Sequence, residues 1–169
     1  MRILGIDPGT TRCGFGIIDI GLPADGAKHK DFIHIDHGCI ESAGHTSDGQ
    51  RLNRVYIDIG SVMDEFKPNH IAIESLFFFS NQKTATKIAE ARGVILLAAH
   101  KKRIETFEYT PQQVKLAVTG YGRSDKKEVQ EEVRKALELS EIPKPDDAAD
   151  GLAVAIAHFH KMQDMHLAK

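Results

Sequence analysis

Four carboxylates stand where a fold could bring them together. Asp7 ends the apolar run Ile3-Leu-Gly-Ile6, and Glu74 ends His70-Ile-Ala-Ile73. Both runs have strand character, and the carboxyl ends of strands are where open α/β sheets form their sites. Asp147 and Asp150 are spaced i, i+3, which puts both on one face of a helix, in its first turn. Acids there also complement the helix dipole, so each taken singly has an ordinary structural explanation. Jointly they say more. Asp7 and Glu74 have no matching cation nearby in sequence, and carboxylates meeting at one place repel unless a cation holds them. Hard divalent cations such as Mg²⁺ take oxygen ligands. Two of them about 3.5–4 Å apart can stabilise the attacking and leaving oxygens of a phosphoryl transfer. The donor set therefore points to metal-assisted phosphodiester chemistry.

No rival constellation is as coherent. The nine histidines form no H-E-x-x-H, and His158 and His160 point in different directions on one helix. Cys13 and Cys39 fit no zinc pattern and are expected to be small buried apolar residues. There is no G-x-S-x-G, P-loop or dinucleotide fingerprint. Gly5-Ile-Asp-Pro-Gly-Thr10 is similar to the phosphate-contacting turn of sugar kinases and actin-like ATPases. Those enzymes need two such lobes, and the chain is too short for both.

The acids need elements to position them. Residues 2–6 read as a strand meeting a turn at Asp7-Pro-Gly-Thr10. Cys13–Ile20 alternates as its hairpin partner, and Phe32–Ser42 supplies a third strand, which together predict an antiparallel meander. The period then changes. Leu52, Val55, Tyr56, Ile59, Val62, Met63 and Phe66 follow helical spacing up to Lys67-Pro68. A buried strand at 70–74, an Ala-rich helix over 84–100 and a strand at 104–109 follow. Thr110-Pro111 predicts a helix start that stops near Gly120-Tyr-Gly122. Asp125-x-x-Glu128 is a capping-box start, and the last helix begins near Asp146 or Asp147. Three strands followed by alternating helix and strand describe an α/β domain with a mixed sheet, its later strands parallel. With no repeat or linker, residues 1–169 read as one domain, the last few residues a flexible tail.

Composition narrows the class. The 169 residues are 41% hydrophobic and 27% charged, which fits neither disorder nor a fibrous repeat. No apolar run approaches the roughly 20 residues of a membrane helix, and the N-terminus lacks the pattern of a secretory signal. A cytoplasmic location is expected. The net charge of −2 argues against a generic nucleic-acid coat. It hides an asymmetry, because residues 81–127 carry ten basic side chains against four acids, for +6, and the remainder is −8. Such a segment is often only a solvated helix face.

The ordered set Gly5-Ile-Asp-Pro-Gly-Thr10, Gly14-Phe-Gly16, Ala72-Ile-Glu74, Ala91-Arg-Gly-Val94, Gln113-Val-Lys115 and Asp147-Ala-Ala-Asp-Gly-Leu-Ala153 resembles the RuvC-type Holliday-junction resolvases. The resemblance runs from Arg2 to about His160. It implies an RNase H-like fold whose five-stranded mixed sheet has its first three strands antiparallel and is flanked by helices. It also implies a homodimer, with RuvA and RuvB as branch-migration partners. The implied activity is Mg²⁺-dependent endonucleolytic resolution of four-way DNA junctions in recombination and repair. Paired nicks would leave 5′-phosphate and 3′-hydroxyl ends, with two Mg²⁺ per site and Mn²⁺ as a substitute.

Carried over by motif position, the catalytic and metal-binding acids are Asp7, Glu74, Asp147 and Asp150. Lys115 and Lys126 fall where the family has lysines near the scissile phosphate, and Phe77 where it places an aromatic against a junction base. The adjoining Phe78 and Phe79 leave the assignment within this trio open. Within the family frame the basic segment becomes a phosphate-contacting side, with Lys83, Lys87, Arg92, Lys115, Arg123, Lys126 and Lys127 as DNA-binding candidates. Two features depart from the pattern. Residues 21–31 form a longer hairpin loop, and Asp146 sets a third acid beside Asp147.

Overall fold

In the computed structural model, residues 1–21, 32–42, 46–75 and 82–167 are described. Strands β1 (Arg2–Asp7), β2 (Arg12–Ile20) and β3 (Phe32–Glu41) form the antiparallel meander, and β4 (His70–Glu74) and β5 (Glu105–Tyr109) add in parallel. The sheet order is β3-β2-β1-β4-β5. β1 is thus central, with β4 beside it running the same way, so Asp7 and Glu74 emerge at the same carboxyl edge.

The helices follow local signals. Helix α1 (Asp48–Phe66) starts four residues before the periodic run, because Ser47 and Gln50 close a capping box there, and it ends on Lys67 in the left-handed conformation. Helix α2 (Gln82–Lys101) crosses back to β5. Thr110 with Gln113, and Asp125 with Glu128, cap helices α3 (Pro111–Thr119) and α4 (Lys126–Ala136). Helix α5 (Asp146–Leu167) is long and nearly continuously buried from Ala148 to Phe159, as expected of a helix with apolar residues on all sides. It runs into the expected tail, of which only residues 168 and 169 remain, outside the described residues. The long loop at 22–31 lies outside them too.

Two apolar layers cover the sheet. On one face Leu4, Ile6, Ile17, Ile71 and Ile73 pack with Val55, Ile59 and Met63 of α1 and Ile95 and Ala99 of α2. On the other, Ile3, Ile18 and Ala72 pack with Leu152 and Ile156 of α5, Val114 of α3 and Val129 and Val133 of α4. Cys13 is buried as expected. Cys39 is only half-buried, because it lies on the edge strand β3, which has a neighbouring strand on one side alone. Among the described residues no helix is long and apolar enough to cross a membrane.

Candidate active site

Helix α5 sits on the backbone of β1 and β2. A Cβ on Gly14 would lie 1.8 Å from the Asp147 carbonyl oxygen, and one on Gly16 would lie 2.5 Å from the Leu152 nitrogen. Only glycine permits that approach. The first turn of α5 is thereby pressed against the carboxyl end of β1, and Asp147 and Asp150 arrive beside Asp7. The motif Gly14-Phe-Gly16 was visible in the sequence, but its partner lies more than 130 residues away and nothing local announces it.

Asp7 and Glu74 lie side by side and share a hydrogen bond. Burial, followed by the charges of Glu74 and Asp150, pushes the Asp7 carboxyl far above the ordinary range, and Asp147 adds to the effect. Glu74 is raised chiefly by burial and then by Asp150, against the opposing charges of Lys115 and Lys126. Asp150 is raised by burial, with Lys126 pulling the other way. Asp7 is the one carboxylate acted on by all three others.

The other two acids are tethered. Arg12 donates from Nε to Asp147 Oδ2 at 2.7 Å, while its Nη1 lies 3.2 Å from Glu41 Oε1. Lys126, the first residue of α4, donates to Asp150 Oδ2 at 3.0 Å and lies 3.5 Å from Asp146 Oδ2. Among the described residues, no three carboxylate, histidine or cysteine groups converge closely enough to enclose a cation as they stand. The chemistry nonetheless fits one. Asp7 and Glu74 are hard oxygen donors, buried together, facing a third acid and opposed by too little positive charge.

Sequence reasoning missed Arg12, whose acceptor is remote in the chain. It placed the other site residues variously. Lys115, on α3, bears on Glu74. Arg123 and Lys127 are exposed on the approach to α4 and in its first turn. Arg92 is ion-paired with Glu108 across from β5, and Lys87 lies 3.4 Å from Asp48. Asp146 is mostly exposed and partners Lys126. Phe77, Phe78, Phe79 and the side chain of Lys83 lie outside the described residues.

A second buried polar cluster was also missed. His158 of α5 is fully buried, its Nδ1 2.7 Å from the Tyr109 hydroxyl and its Nε2 2.9 Å from His70 Nδ1. Phe107 lies against it at 4.4 Å between ring centres. Burial, then His70, lowers the imidazole pKa to about 4.

A five-stranded mixed sheet in this order, with acids converging on its carboxyl edge, defines an RNase H-like nuclease. The family profile described as RuvC, crossover junction endodeoxyribonuclease RuvC, matches residues 3–158. A relative of that description from Fusobacterium nucleatum is 48% identical over 162 residues, covering 96% of this chain and 82% of its own. The solved structure of Thermus thermophilus RuvC superposes with a TM-score of 0.87 at 30% identity, covering 98% of this chain and 97% of its own. The same protein in complex with a Holliday junction substrate matches with the same TM-score and identity, covering 98% and 96%. The chain belongs to the RuvC family of crossover junction endodeoxyribonucleases.

Proposed function

We propose that this chain resolves four-way DNA junctions with Asp7, Glu74, Asp147 and Asp150 as ligands of divalent cations. Nucleases of this family depend on a metal; Mg²⁺, two per site, with Mn²⁺ as a substitute, is the reading adopted. The Asp7–Glu74 pair carries the proposal. Two adjoining carboxyls whose pKa values are both raised, chiefly by burial and then by neighbouring acids, are held against electrostatic cost, and a hard cation relieves that cost.

When bound, the cations supply charge stabilisation for the attacking and leaving oxygens of the phosphodiester. The chain's residues arrange the rest. Asp7, which all three other acids face, is placed to be the shared ligand. Lys126 and Lys115 bring positive charge to the same edge, where it opposes the charge developing on the phosphate, and such preorganised electrostatics is often the largest contribution to catalysis. The products would carry 5′-phosphate and 3′-hydroxyl ends.

Lys83, Lys87, Arg92, Arg123 and Lys127 are the candidates to follow the DNA backbone away from the cut. Their phosphate contacts would set affinity and its salt dependence. Phe77 is proposed to stack on a junction base. A junction offers two equivalent strands, so a twofold homodimer would present one site to each and nick them as a pair. RuvA and RuvB, as branch-migration proteins, are the proposed partners.

Cleavage of a four-way junction, a linear duplex and an RNA–DNA hybrid, each in Mg²⁺, in Mn²⁺ and in chelator, tests the reading. Metal-dependent cutting of the junction alone is expected. Equal cutting of linear duplex would make the chain a general nuclease, and binding without cutting would make it a junction-binding module.

A further inference from the structure

Arg12 stands at the start of β2, two residues before Gly14, which pairs with Asp7 in the sheet. It holds Asp147 at 2.7 Å and Glu41 at 3.2 Å, and its side chain is 45% exposed. Asp147 is one of the two acids that the first turn of α5 brings beside the Asp7–Glu74 pair. Nε and Nη1 take Asp147 and Glu41, and the exposure leaves the guanidinium open to an anion arriving from outside. A DNA phosphate offers that fork the same pair of anionic oxygens as a carboxylate does.

We infer that Arg12 is a phosphate-responsive latch on Asp147, a positioning residue that couples DNA binding to assembly of the carboxylate set. With no DNA, the latch keeps Asp147 turned toward β2 and weakens cation binding. A backbone phosphate arriving at the junction end of β2 takes the guanidinium, and Asp147 turns to the pair. Glu41, 61% exposed, gives the released guanidinium a second anchor, so Arg12 stays at the edge rather than swinging into solvent. Lys126 is built alike, with Asp150 inside and the exposed Asp146 outside. Because coupling is reciprocal, cations must also tighten DNA binding by the factor by which DNA tightens cations.

The inference rests on the metal-site reading above, and its test separates the two. Mn²⁺ binding to the full chain without DNA is followed by the loss of the free-ion paramagnetic resonance signal, in wild type, Arg12→Gln, Asp147→Asn and the double variant. A latch on an exposed pair is worth up to about a fivefold change in affinity. Arg12→Gln is therefore expected to tighten Mn²⁺ about fivefold in the wild-type background and less than about twofold beside Asp147→Asn, because the effect runs through that carboxylate. Junction binding in chelator is expected to weaken in Arg12→Gln, with the salt slope smaller by about one.

Three results would overturn the latch. These are unchanged or weaker Mn²⁺ binding in Arg12→Gln, an equal gain in both backgrounds, which would mark a bulk charge effect, and an unchanged salt slope. Wild-type protein that binds no Mn²⁺ and cuts no junction would instead overturn the metal-site reading. Wild-type cleavage with no Arg12 effect would remove the latch alone.

Discussion

Strand β4 and helix α5 meet twice, and the two meetings are opposites. At the start of β4, His70 faces His158, and each imidazole nitrogen of His158 has a hydrogen-bond partner. Four residues on, at the other end of the same strand and on the same face, Glu74 meets Asp7 and the first turn of α5. Both places bury polar groups among helices and sheet. At the first, hydrogen bonds repay the burial within the chain. At the second, like charges are pressed together and, among the described residues, Lys115, Lys126 and Arg12 oppose them. A buried polar cluster that satisfies itself contributes to stability; one that does not is held for something from outside.

The sharpest way to break the comparison is Asp7→Asn. Losing the central ligand is expected to lower junction cleavage by about 10³ or more, the scale of one strong transition-state contact. Junction binding should stay or strengthen, because a negative charge facing DNA is gone. Cleavage in a gel assay against binding in chelator separates the two, and normal cutting by the variant would remove Asp7 from the site.

The opposite effect is expected from His158→Ala. His158 is fully buried, and its loss takes the hydrogen-bond partner from the Tyr109 hydroxyl and from His70 Nδ1 and opens a cavity against Phe107. A loss of about 3 kcal/mol of stability is expected in urea unfolding. Cleavage per folded molecule should hardly move. A variant of full stability with lost cleavage would make this cluster part of the chemistry.

What the sequence disclosed follows the same division. Asp7, Glu74, Asp147 and Asp150 were legible because each ends or begins an element whose apolar pattern is local. The meander, the helix start at Thr110-Pro111 and the capping box at Asp125 were legible for the same reason. Arg12, His70 and His158 were not, since the partners that give them meaning, Asp147 for Arg12 and Tyr109 and each other for the histidines, lie 49 or more residues away, and no spacing encodes them. Cys39 shows a third case. Its residue type suggested burial, and its place on an edge strand decided otherwise.

Titration separates the clusters by sign. A carboxyl whose folded pKa is raised adds stability that is complete below its unfolded pKa and is lost as pH rises through the folded value. For the pair, with Glu74 pushed up to about 7 and Asp7 to about 8, metal-free protein should lose stability as pH climbs from about 4 toward 8. His158 runs the other way. Its folded pKa is depressed to about 4, so its neutral form adds stability above the unfolded value near 6.5, which is lost as pH falls toward 4. Between about pH 6.5 and 8 only the carboxylates of the two clusters contribute. One proton over that window is worth at most about 2 kcal/mol, or about 5 °C in melting temperature for a domain of this size. Melting in chelator should show that fall in wild type, most of it absent in Asp7→Asn, and saturating Mg²⁺ should flatten it without any substitution. A flat wild-type profile would mean that the pair is not under strain.

Tyr109→Phe offers the mildest test and the cleanest one. Tyr109 pairs with Glu74 in the β4–β5 ladder, and its carbonyl accepts from the Ser75 amide, so its backbone belongs to the metal edge while its hydroxyl belongs to the histidines. Removing the hydroxyl keeps the ring and the ladder and leaves His158 Nδ1 unpaired. The expected loss is about 1 kcal/mol of stability, the scale of one hydrogen bond between neutral groups. The His158 pKa, followed by proton resonance, should move, because Nδ1 loses its partner: up if the hydroxyl donates to Nδ1, down if it accepts from it. Cleavage and Mn²⁺ affinity should match wild type, for among the described residues the hydroxyl bonds His158 and none of the four acids. A Mn²⁺ affinity that shifts with this single oxygen would show that the satisfied cluster and the unsatisfied one are parts of the same device, joined through residue 109.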